Sequence, residues 1–213
     1  MKPSNQLSID SHIKAIIWIV LILEGSALMA TELISAKLLA PYYGSSLYLW
    51  TSMLCCTLMG LALGYLIGGE ISKSATPFKL VLITLLASLS VILMPEICKT
   101  IAPKTFNLPL KTGTLTSCFL LITPTILLLG AIGPIAVQLL SSDDASPPGT
   151  IAGKAFFIST VSGVISTFIF AFFLIPEKGL EFSTKATAAS LCTIGIPYLL
   201  LQILKHKDEA YRT

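Results

Sequence analysis

Six times in this chain of 213 residues a run of about twenty or more mostly apolar residues recurs, and each of the first five is followed by a polar connection containing proline, glycine or serine. Lipid offers no hydrogen bonds, so a run of that length must satisfy its own backbone, and an α-helix does so within one segment. The runs predict helices at 13–40, 47–69, 78–101, 115–140, 151–175 and 184–204. The expected fold is all-α: one domain, residues 1–213, forming a polytopic bundle of six transmembrane helices. Composition agrees. With 54% hydrophobic residues, 12% charged residues and a mean hydropathy of +0.85, the chain has too few polar side chains to coat a soluble globule.

The turns set further expectations. Pro41 to Ser46 is short, so helices one and two are expected to form a tight antiparallel hairpin, with Tyr42, Tyr43, Tyr48 and Trp50 in an interfacial aromatic belt. Pro77 is placed to start helix three. The stretch from Pro95 to Gly113, with three lysines and two further prolines, predicts irregular structure at headgroup level. Pro124 and Pro134, with Gly130 and Gly133 between them, predict a broken fourth helix. An acidic loop with Asp143 and Asp144 follows. Counting lysine and arginine near the spans puts eight on the side of the termini and six on the other. That places both termini in the cytoplasm, with the chain a multi-pass protein of a bacterial inner membrane.

Gly60, Gly64 and Gly68 recur every four residues and bare one face of helix two for close packing. Ser159, Gly163 and Thr167 repeat the spacing in helix five, which offers a face for that ladder. Glu24 and Glu32 lie within the first apolar run, where a carboxylate costs at least about 2.5 kcal/mol unless it is paired, protonated or facing a wet cavity. They are about 12 Å apart along a helix and about 80° apart around it, so both can border one cavity without touching. Two carboxylates so spaced suit two amines on a flexible chain. The competing reading pairs Glu32 with Lys37, or uses it to cap the freed backbone of helix four. Gln138, one turn beyond Pro134, is a candidate to satisfy a freed carbonyl or a ligand. His12 and His206 are expected to be solvated.

The net charge of +3 is diffuse, which excludes a nucleic-acid footprint. The five cysteines show no metal spacing and read as apolar packers, although Cys98 and Cys118 flank one loop and would be able to pair in an oxidising compartment. No nucleophile, base or metal constellation is visible, so the chain is read as a non-enzyme with no cofactor and no metal.

Four stretches in order, Glu32 to Trp50 (ELISAKLLAPYYGSSLYLW), the ladder from Gly60 to Gly69, Thr123 to Pro134 (TPTILLLGAIGP) and Gly153 to Pro176 with Gly179, resemble the membrane region of spermidine-synthase-like membrane proteins. The resemblance covers nearly the whole chain. It implies major-facilitator-like helices that in the family are fused to an aminopropyltransferase domain. No strand, glycine-rich turn and downstream acid able to hold an adenosyl cofactor occurs in these residues. The turn after helix two departs from the transporter pattern of an acid and an arginine, reading Ser72 and Lys73 instead. What the resemblance implies is binding or transport of a polyamine-like cation through a cavity lined by helices one, two and four. Six helices equal half a twelve-helix transporter, so a homodimer or a partner half is expected within the lipid bilayer. The alternative is a non-transporting anchor or scaffold for a separately encoded aminopropyltransferase-like enzyme.

Overall fold

The computed structural model describes residues 11–142 and 147–210, with side chains except at 11, 12, 194 and 196–210. The acidic loop Asp143–Asp144 and the side chains of His12 and His206 lie outside the described residues. Everything described is helix or short turn: α1 Ser11–Tyr43, α2 Leu47–Ser72, α3 Pro77–Thr105, α4 Leu110–Ser141, α5 Pro148–Ile169, a π-helical segment Phe170–Lys178, and α6 Gly179–Ala210. Among the described residues five helical stretches are long and apolar enough to cross a membrane, the last running from Pro148 to Thr193.

Local chemistry explains most of the boundaries. Gly44 takes φ +65° after α1, and the Ser46 side chain then accepts from the Leu49 amide to open α2. Thr76 caps α3 in the same way, with Pro77 at the first helical position, where its missing N–H costs nothing. At Gly179, φ is +81°, a conformation glycine adopts freely, and here the chain turns back. After the turn α6 runs against α3 in the opposite sense: the Ser88 hydroxyl donates to the Ala188 carbonyl at 2.8 Å, and Gly195 packs on Leu85.

Several expectations need correction. The 95–113 stretch is mostly helical, because α3 continues through Pro95 and Pro103 to Thr105 and α4 begins at Leu110, leaving a connection of four residues. Nor is α4 broken: it continues through Pro124 and Pro134. A proline removes one backbone bond and bends a helix, but α4 is the central helix, clamped by α1, α2, α3 and α5, and the clamp holds the segment together. The short α1–α2 turn does not produce a tightly packed hairpin, since α2 lies mainly on α4. Tyr43 is not in a belt. It is buried, and its hydroxyl meets Thr105 at 2.8 Å and Ser117 at 2.9 Å, tying the C-terminal ends of α1 and α3 to the start of α4. Tyr48 and Trp50 are exposed.

The glycine faces are used, but with different partners. A Cβ on Gly64 would lie 2.5 Å from the Leu127 carbonyl oxygen, and one on Gly68 would lie 2.5 Å from that of Ala131. Gly60 meets Ile126 and Thr123, and Gly130 faces Leu61 from the other side. The ladder of α2 therefore seats α4, where two bared backbones meet. Helix α5 turns its small residues to α1: a Cβ on Gly25 would collide with the Ser159 carbonyl, and one on Gly163 would lie 2.9 Å from Met29 and 3.0 Å from the Gly25 carbonyl oxygen. All five cysteines are free, and Cys98 and Cys118 are both buried in helix packing, Cys98 donating to the Leu38 carbonyl.

Candidate functional site

The close approach of α1 and α5 allows a polar seam along their contact. Ser26 donates to the Ser162 carbonyl at 3.4 Å, and Ser166 donates back to the Ser26 carbonyl at 2.9 Å. Glu24 lies on the same seam. Its carboxylate is buried, with 5% of the residue exposed, and its Oε2 accepts from the Ser159 hydroxyl at 2.7 Å. Glu24 is thirteen residues from the first residue of α1 and nineteen from its last, about 20 Å and 28 Å at 1.5 Å per residue, so it stands near the middle of the helix.

Beside it lies a cavity of about 220 Å³ walled by α1, α2 and α5. Glu24, Ser159 and Thr160 are among its polar groups, and Met29, Leu61 and Val164 are among its apolar ones. Tyr65 of α2 and Phe156 of α5 also border it, their rings edge to face with centroids 6.5 Å apart. Both rings are about half exposed on the outer face of the bundle, so the cavity opens sideways between α2 and α5. This corrects the expected lining: α4 forms no part of the wall, because the proline-bearing helix is enclosed at the centre instead.

Glu32 does not join Glu24. Turned 80° around the helix, it points to α2, where Thr57 donates to its Oε1 at 3.4 Å, and it is not among the residues that wall the cavity. Among the described residues no ion pair joins Glu32 to Lys37, which is exposed. Gln138 is also exposed, on α4, and borders no part of the Glu24 cavity. Three ion pairs, Glu70–Lys73, Glu96–Lys99 and Glu181–Lys185, are local contacts between exposed side chains, of the kind that contribute little to stability. Among the described residues no group of His, Cys, Asp and Glu side chains is arranged to hold a metal ion.

Most of the lining was not read from the sequence, Gly25, Tyr65 and Phe156 being the members that shape the site most. Gly25 had a signal, a small residue beside an acid within a long apolar run, which lets a neighbouring helix reach that acid. The aromatic pair had none, because α2 and α5 are far apart in the chain and meet only through the fold. No protein-family model matches the chain, and no curated protein and no solved structure is similar enough to count as a match.

Proposed function

We propose that this chain is a six-span integral membrane protein that binds a small organic cation at Glu24 and passes it across or along the bilayer. The carrying observation is a carboxylate near mid-helix, buried, with one hydroxyl donor and an adjoining cavity. Burying an unpaired carboxylate is costly, and a cation taken into the cavity removes that cost. The reading uses Glu24 as counter-ion and Ser159 to orient it. The antiparallel return of α6 along α3 supports six crossings with both termini on one side. The sequence resemblance to spermidine-synthase-like membrane proteins suggests an amine as the cation.

The test is thermal unfolding of the purified full-length protein with ammonium ions from methylammonium to spermidine. A ligand at one hundred times its Kd adds about 2.7 kcal/mol of stability, so at least one member should raise Tm clearly in the wild type. Glu24→Gln, which keeps a partner for Ser159 but carries no charge, should show no such rise. A flat series in the wild type, or the same rise in Glu24→Gln, overturns the reading. A soluble aminopropyltransferase-like enzyme copurifying with a protein that binds no amine would favour the anchoring role.

A further inference from the structure

We infer that the Glu24 cavity selects a single ammonium group carried on a compact apolar or aromatic body, reaching the site from the membrane face, and that extended polyamines are poor ligands. The inference rests on the proposed cation site and concerns which cation it takes. Among the described residues only one carboxylate, Glu24, belongs to the cavity wall, while Glu32 is turned to Thr57 on α2. A second ammonium would therefore be held among Leu28, Met29 and Leu61 with no counter-charge, and an unpaired charge in apolar surroundings is strongly disfavoured.

Size points the same way. An engineered cavity of about 150 Å³ holds benzene, so about 220 Å³ holds one ring with a short chain. Tyr65 and Phe156 at the mouth offer ring faces and edges to such a body, and their π-faces also attract a cation passing between them. The half-exposed rings place the opening on the outer surface between α2 and α5, where an amphiphilic amine already dissolved in the bilayer would arrive. A lipid amine headgroup fits less well. Its phosphate would find no lysine or arginine among the described residues of the cavity wall, and the carboxylate lies near mid-helix, away from headgroup depth.

Equilibrium binding of 2-phenylethylamine, 2-phenylethanol, spermidine and phosphatidylethanolamine to the full-length protein in nanodiscs of phosphatidylcholine tests this. The expected result is saturable binding of 2-phenylethylamine alone, abolished in Glu24→Gln, weakened several-fold in Tyr65→Leu and retained in Tyr65→Phe. Should Tyr65→Leu fail to fold, the contrast between the amine and the isosteric alcohol carries the test. Binding of spermidine or phosphatidylethanolamine in preference to 2-phenylethylamine overturns the inference and leaves the cation reading standing. Equal binding of the alcohol overturns the inference, and absence of binding by every amine overturns both.

Discussion

At the scale of single residues, the decisive positions are those where a backbone stands in for a side chain. Gly25 touches the Ser159 carbonyl so closely that any Cβ must push α1 and α5 apart, and a backbone carbonyl cannot swing aside as a side chain can. Gly25→Ala should therefore destabilise by about 1–3 kcal/mol, the usual cost of overpacking, despite alanine's better helix propensity. Gly153, inside α5 with open space where its Cβ would go, should do the opposite and gain roughly 0.5–1 kcal/mol as alanine. Thermal melts in one detergent compare the two. Equal melting temperatures would show that the α1–α5 approach is looser than described.

At the scale of elements, the helices were legible and their partners were not. Apolar runs bounded by prolines and serines locate helices because lipid leaves the backbone no other choice, and Ser46 and Pro77 start α2 and α3 as their chemistry requires. A glycine face says only that something comes close. The ladder from Gly60 to Gly68 fits any bared backbone, so its seating on α4 instead of α5 depended on Gly130 and Ala131 being available across the bundle. The fate of Pro124 and Pro134 was hidden for the same reason: whether a proline breaks a helix is decided by what holds the two halves, here α4's four neighbours. Tyr43 had an ordinary interfacial address, and only the fold brings Thr105 and Ser117 to its hydroxyl. Glu24, an acid inside a long apolar run, was legible as costly, but its cavity was not, since Tyr65 and Phe156 come from remote segments. The α2–α4 pairing is checked by Ser52→Cys with Thr114→Cys, whose native hydroxyls are 3.3 Å apart. Oxidation should cross-link this pair in the membrane with little loss of stability, and failure to cross-link would contradict the register.

At the scale of the whole molecule, α4 is the axis around which α1, α2, α3 and α5 are arranged, with α6 laid along α1 and α3. The reversal at Gly179 makes α5 and α6 opposite in sense, so the proposed path crosses the membrane six times. Cysteines introduced one at a time in place of Ser74, Asn107 and Glu177, in a background that keeps the buried Cys56, Cys98 and Cys118 but has Cys55 and Cys192 replaced by alanine, report the path through labelling by an impermeant thiol reagent. Positions 107 and 177 should label from one side and position 74 from the other. Labelling of 177 from the same side as 74 would break the proposed topology. The outer surface of the bundle is rich in exposed leucine, isoleucine and phenylalanine, as a face meeting acyl chains requires.

Those three scales meet in one carboxylate: a glycine lets α5 reach it, a seam of serines orients it, and three helices leave a space beside it. Infrared difference spectroscopy, comparing the protein in nanodiscs with and without 2-phenylethylamine, observes that group directly. The expected result is a ligand-induced change in the carboxyl region that vanishes in Glu24→Gln and persists in Glu32→Gln. A bound amine that leaves the Glu24 signal unchanged, or a change that survives in Glu24→Gln, would contradict it.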